Sequence, residues 1–217
     1  PDYFVDAHMD AEGLDFSCST CHTADQHEVR GSRYAPEAAD EGEISVPGRQ
    51  GADRTSCRAC HGSSPHPDDA KLNDHIDRIA CQTCHIPRFS RGDYGSKMWW
   101  DWSTAGKVAP DGKQFTREDA DGFEIYDSKK GDFAWEKHTG PEYRWFNGTV
   151  LYTLLGDRID PSGVVPVNRF LGEPGTPGTR IWPVKVMRGK QPFDVESQTL
   201  VAPLTTTDKG YWKTLNW

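Results

Sequence analysis

Cys81-Gln-Thr-Cys84-His85 is the last of three five-residue stretches of one kind, after Cys18-Ser-Thr-Cys21-His22 and Cys57-Arg-Ala-Cys60-His61. Together they hold every cysteine in the chain. On one helical turn the positions i, i+3 and i+4 share a face, so each stretch aims two thiols and an imidazole in one direction. Covalent attachment of a c-type haem needs this arrangement: the thiols take the two vinyl groups and the histidine lies under the iron. The pattern predicts three covalent haems c, held through Cys18, Cys21, Cys57, Cys60, Cys81 and Cys84, with His22, His61 and His85 as proximal ligands.

Two other readings of the cysteines compete with this one. A four-cysteine zinc site could use Cys57, Cys60, Cys81 and Cys84, whose pairs stand 20 residues apart, at the edge of the usual ribbon spacing. It strands Cys18 and Cys21, however, and leaves a histidine after each pair to a coincidence of below about one in ten thousand. A disulfide scaffold fits less well, because tight CxxC pairs suit redox exchange rather than stapling.

Five histidines remain for the opposite face of the irons: His8, His27, His66, His75 and His138. Three haems with two histidines each need three more, so no iron has to stay open. A six-coordinate haem passes electrons, whereas catalysis at iron needs an open position. Cys18 to His27 and Cys57 to His66 repeat a CxxCHxxxxH pattern, and Ser90 breaks it after the third motif. The second histidine of each repeat is expected to serve a neighbouring haem, since a short continuation of the same turn stays on one face. His8, His27, His66 and His75 form the expected distal set, and His138 is expected to be a surface histidine. Met9, Met98 and Met187 are read as packing residues. Lys97, in Lys97-Met-Trp-Trp-Asp-Trp102, is an iron ligand, part of an anion pocket, or a surface lysine with its stem over aromatic rings.

Composition narrows the function classes. Lys+Arg 25 against Asp+Glu 33 gives a net charge of −8 without basic clusters, which argues against nucleic acid as a partner. No apolar run approaches the ~18–20 residues that span a bilayer, so no membrane span is expected. Phosphate-binding glycine loops, GxSxG and HExxH are all missing from the sequence. Trp 8, Tyr 7 and Phe 9 belong to a folded chain, and porphyrin surface would supplement its 35 % hydrophobic residues. Haem c is attached outside the cytoplasm, so a periplasmic or extracellular location is expected, with the export segment upstream.

The halves differ. All cysteines and seven of the histidines lie at or before His85, and all eight tryptophans lie after it. The expected organisation is therefore a three-haem region over 1–86 and an aromatic-rich wrapping region over 87–217. In the first, Leu72, His75, Ile76 and Ile79 follow an acidic start at Asp68-Asp69 with helical spacing. In the second, 122–126 and 133–135 around a Lys129-Lys-Gly-Asp132 turn read as a hairpin, with further short strands near 149–155 and 181–186. Asn147-Gly148 reads as a turn.

The phrases around the motifs resemble the octahaem c-type cytochromes of the tetrathionate reductase family, relatives of hydroxylamine oxidoreductase and the multihaem nitrite reductases. The resemblance rests on Leu14 to His22, Cys57 to His66 and Asn73 to Pro87. It also rests on Lys97 to Gly106, Pro141 to Gly148 and Gln191 to Asp194. It implies a mainly α, loop-rich multihaem fold, with short strands in the Trp-rich half, and closely stacked bis-histidine haems in an electron-transferring oxidoreductase. Redox proteins and further haem-bearing parts of the same polypeptide are the implied partners, with a homo-oligomer possible in such a family. Eight motifs are usual there and this chain has three, so it reads as an internal piece. No catalytic residue is carried over. A reductase of sulfur or nitrogen oxyanions with one open haem is the alternative.

Overall fold

In a computed structural model, residues 3–21, 24–25, 28–29 and 57–216 are described. The helices are α1 (Cys18–Cys21), α2 (Arg58–His61), α3 (Ala70–Asn73), α4 (Cys81–His85) and α5 (Tyr211–Thr214). The first seven strands are β1 (Ala24–Asp25), β2 (Glu28–Val29), β3 (Ser96–Asp101), β4 (Thr116–Glu118), β5 (Glu124–Asp127), β6 (Gly131–Glu136) and β7 (Glu142–Phe146). The rest are β8 (Val150–Tyr152), β9 (Asn168–Phe170), β10 (Arg180–Val184), β11 (Arg188–Lys190), β12 (Phe193–Asp194) and β13 (Thr199–Leu200).

The expectation of a mainly α fold is overturned: 26 % of the described residues are strand and 13 % helical. Turn residues such as Gly62-Ser-Ser-Pro65 interrupt the motif region, and the helices there are four or five residues long. The helix expected through Ile79 stops at Asn73. Asp69 does cap it, accepting from the Leu72 amide at 3.1 Å, but Asn73 turns its side chain to the His66 backbone. Asparagine competes in this way with the helical ladder. Beyond it the chain runs in turns, with His75 N–H to Leu72 O at 3.2 Å and Arg78 N–H to His75 O at 2.9 Å.

Two compact units result. One comprises Pro1–Arg88, Gly140–Leu151 and Asn168–Val184, and so holds all three cysteine motifs. Its β7 and β10 pair antiparallel, with Phe146 opposite Arg180. Buried Phe146 packs edge-on against Phe170 and Trp182, with centroids at 4.6 and 6.1 Å. The Asn147 turn forms as expected: Thr149 N–H donates to Asn147 Oδ1 at 3.0 Å.

The other unit comprises Phe89–Thr139, Tyr152–Val167 and Lys185–Trp217. Its five-stranded sheet has the order β11-β3-β6-β5-β4, with β3 parallel to β11 and antiparallel to β6. The hairpin read from the sequence is β5–β6. Tyr126, 1 % exposed, and Phe133 centre its core, and Phe115 stacks on Tyr126 at 5.0 Å. Gly131 opens β6 with φ +85, and a Cβ there would meet the Asp101 carbonyl oxygen at 1.9 Å, so only glycine fits. Buried Asp101 accepts from Ser103 N at 2.9 Å and pairs with Lys190 at 3.0 Å. Burial pushes its carboxyl up, but the Ser103 and Lys190 hydrogen bonds outweigh this and hold it below the usual range.

Candidate haem-attachment site

Each cysteine motif is a short helical turn anchored by its neighbours. α4 carries Cys81, Cys84 and His85 on consecutive helical positions. It is fixed to β10 at one carbonyl, since the Ala80 amide and the Thr83 hydroxyl both donate to Ile181 O, at 3.0 and 2.8 Å. Ile181 N–H returns a bond to Arg78 O at 2.7 Å, and Ala80 is fully buried. Thr83, a variable position of the motif, is therefore a structural anchor. α2 carries Cys60 and His61 directly after Cys57, and Arg58 reaches the Ile76 carbonyl at 3.3 Å. α1 runs from Cys18 to Cys21, with Thr20 bonded back to Ser17. His22 and His27 lie outside the described residues.

The cysteines are half-buried or exposed, and none forms a disulfide. The Cys57 thiol hydrogen-bonds Cys81, the main reason the Cys81 pKa is held at about 6; burial opposes the shift, and the Arg180 charge adds to it. The leading sulfurs of the second and third motifs are thus neighbours.

In two places a motif histidine faces a histidine from outside the motifs. The His66 and His85 rings are 6.0 Å apart between centroids and 6° from parallel. The His8 and His61 rings are 6.2 Å apart at 75°. Two imidazoles on opposite sides of one metal meet a simple geometric requirement. Each metal–nitrogen bond is about 2.0 Å and each centroid lies about 1.1 Å behind its nitrogen, so trans centroids stand about 6.2 Å apart. Both separations match that distance, and the cysteines of the second and third motifs lie on the same turns as one member of each pair. When bound, a haem would supply a one-electron carrier, and each motif would hold it through two cysteine sulfurs and the motif histidine.

The paired histidines are held by their backbones. Asp6 accepts from His8 N at 2.9 Å and Met9 N at 3.2 Å, and its carboxylate lies 3.8 Å from His8 Nδ1, on the side that orients an imidazole for metal binding at Nε2. His66 is clasped by Asn73, with His66 N–H to Oδ1 at 3.0 Å and Nδ2–H to His66 O at 2.7 Å. Asp6 and Asn73 were missed from sequence, where only an Asp two residues before one histidine and an Asn seven residues after another could have marked them. His75 is exposed and faces no other described imidazole. His138 is exposed with φ +54, its amide bonded to Ser90 O. Met9 and Met98 are half-buried and Met187 is exposed. Lys97, on β3 of the sheet unit, sets its ammonium 3.4 Å above the Phe133 ring.

Among the described residues no three His, Cys, Asp or Glu side chains converge as a zinc centre requires, and no helix is long and apolar enough to cross a membrane. Comparison with known proteins adds an independent line. The octahaem cytochrome c of Shewanella oneidensis has a similar structure, with a TM-score of 0.81 and 38 % identity, over 100 % of this chain and 46 % of that one. This chain therefore spans just under half the length of that relative. No curated protein matches it. A family model for bacterial cytochrome c matches residues 97–217, the half without cysteines, so the family signal and the attachment motifs come from separate stretches of sequence. On both grounds the chain belongs to the bacterial cytochrome c family, as a multihaem c-type cytochrome that binds haem c covalently.

Proposed function

We propose that the chain binds three haems c, one on each motif, and relays electrons along them as part of an octahaem oxidoreductase of the tetrathionate reductase type. His8 and His61 are the axial pair of the second haem, and His66 and His85 that of the third. His22 is the proximal ligand of the first, with its distal partner drawn from His27 and His75. The observation that carries this reading is the pair of imidazole separations, 6.0 and 6.2 Å, each joining a motif histidine to a distal histidine. Residues 1–86 supply attachment, and residues 87–217 supply the aromatic surface around it. Covalent haem c implies export to the periplasm or cell exterior. The partners are redox proteins, the further haem-bearing parts of the polypeptide and a second copy of the assembly, with the reducing centre for sulfur or nitrogen oxyanions outside these residues.

The test is a pyridine haemochrome assay with intact mass on protein matured by a cytochrome c assembly system. Three haems per chain are expected, all low-spin in the ferric form, and one fewer in each of Cys18→Ala/Cys21→Ala, Cys57→Ala/Cys60→Ala and Cys81→Ala/Cys84→Ala. A ferric high-spin signal that binds cyanide without displacing a histidine would instead favour a catalytic haem on this chain. Fewer than three haems on intact motifs would refute the count.

A further inference from the structure

The sheet unit holds a cavity lined by none of the cysteines or histidines assigned to haem. Its volume is about 310 Å³, and Trp100, Trp102, Phe133 and Val201 line it together with Lys97 and Lys130. That size lies at the lower end of small-molecule sites, about 300–1,000 Å³, which combine apolar walls with a few convergent polar groups. The walls are rigid. The Trp100 indole covers Gly189 so closely that a Cβ there would meet it at 2.4 Å, and Trp102 stacks on buried Tyr211 with centroids 6.2 Å apart.

The two ammonium groups are not equivalent. Lys130 is neutralised by Asp127 at 3.3 Å. Lys97 has no carboxylate partner among the described residues; its ammonium rests on Phe133 at 3.4 Å and near Trp135 at 5.0 Å. An aromatic face offsets only part of the cost of taking an ammonium out of water. Burial, and then the Lys130 charge, push the Lys97 pKa down, and the charges of Glu124 and Asp127 offset this only in part. One positive charge without a direct ion pair among the described residues therefore borders a flat aromatic chamber, offset only through space by Glu124 and Asp127. An inorganic ion would satisfy that charge and leave the rings wet, and an uncharged ring would do the reverse.

We propose that this cavity binds a small organic monoanion with a flat apolar body, in its simplest form an aromatic carboxylate. Its carboxylate meets Lys97 and Lys130 while its ring lies against Trp100, Trp102 and Phe133. A single negative charge suffices because Asp127 already balances Lys130.

Isothermal titration calorimetry of the haem-loaded full chain with benzoate, benzamide and sulfate tests the assignment. Benzoate is expected to bind one per chain. Benzamide, with the same shape and no charge, and sulfate, with charge and no ring, are each expected to bind at least about tenfold more weakly, the scale of one lost charge-assisted contact. Lys97→Met keeps the length of the side chain and removes the charge, so benzoate binding should weaken at least about tenfold. Val201→Trp leaves both lysines in place and fills the chamber, so binding should be lost. Haem content and near-ultraviolet dichroism report whether both variants fold; if either does not, the ligand series on the unsubstituted protein decides alone. The proposal is overturned if benzoate does not bind, if benzamide or sulfate matches it, or if a folded variant binds it as the parent does.

Discussion

Asn73 tests the third haem's axial pair without touching either ligand. Its side chain closes two hydrogen bonds on the His66 backbone, at 3.0 and 2.7 Å, in a half-buried setting. Each is worth about 0.5–1.5 kcal/mol net, so Asn73→Ala should loosen His66 by about 1–3 kcal/mol, less a few tenths regained because alanine is the better helix former. An external ligand reaches the iron only in the fraction of molecules whose distal histidine is off, and its apparent dissociation constant scales inversely with that fraction. At about 1.4 kcal/mol per factor of ten, cyanide affinity at this haem should rise about 5- to 100-fold. Asn73→Asp keeps the acceptor for the His66 amide and loses the donor, so it should fall between. Optical titration of the ferric protein, with His66→Ala marking the open limit, measures both. Affinity within twofold of the parent in Asn73→Ala, alongside tight binding in His66→Ala, would refute the clasp as the element that holds the ligand.

Two further predictions concern the sheet unit. Gly131→Ala places a methyl group where the Asp101 carbonyl stands, on a backbone with φ +85; the left-handed penalty plus a forced backbone shift gives a loss of about 2–5 kcal/mol. Near-ultraviolet dichroism during heating should show a midpoint lower by about 5–15 °C, and an unchanged midpoint would contradict the packing described. The depressed Asp101 pKa means that its ionised form stabilises the fold above the ordinary carboxylate pKa of about 3.9, and that this contribution is lost as pH falls through the lower folded value. Asp101→Asn should therefore be less stable than the parent at pH 7, with the gap closing below about pH 4. A gap independent of pH would rule out the carboxylate as its source.

The chemistry of this chain was more legible than its architecture. CxxCH is read from spacing alone because one helical turn contains the whole device, and the β5–β6 hairpin is read from a Lys-Lys-Gly-Asp turn between alternating residues. β3 was not legible, although it lies inside the five-stranded sheet, between β11 and β6. Its register shifts between Lys97 and Trp99, which breaks the period-2 pattern, and Ser96 to Asp101 mixes charged and aromatic residues without a clean polar face. The mainly α expectation failed for a related reason. Motif helices one turn long satisfy the attachment geometry, so the presence of haem motifs carries little information about helix content. The imidazole pairings were beyond the sequence, because Asp6 and Asn73 act through backbone bonds that leave no periodic trace.

The proposed pairings would also explain how a motif region with so little regular structure holds together. His8 precedes the first motif and faces the histidine of the second; His66 follows the second and faces the histidine of the third. Each iron bound in this way closes a loop in the chain, of 61 − 8 = 53 residues in one case and 85 − 66 = 19 in the other. If axial bonds restrict the unfolded chain as disulfides of the same span do, the two loops remove about 4 and about 3 kcal/mol of unfolded-state freedom. Those amounts are comparable to the whole net stability of a small domain, about 5–15 kcal/mol. In the proposed arrangement the thioethers would fix each haem to its own turn, whereas the distal histidines would stitch successive turns together. Electron relay through the second and third haems and structural cross-linking would then rest on the same four imidazoles. A substitution at His8 or His66 would remove a ligand and its loop together, whereas one at Asn73 would weaken both while leaving the ligand in place.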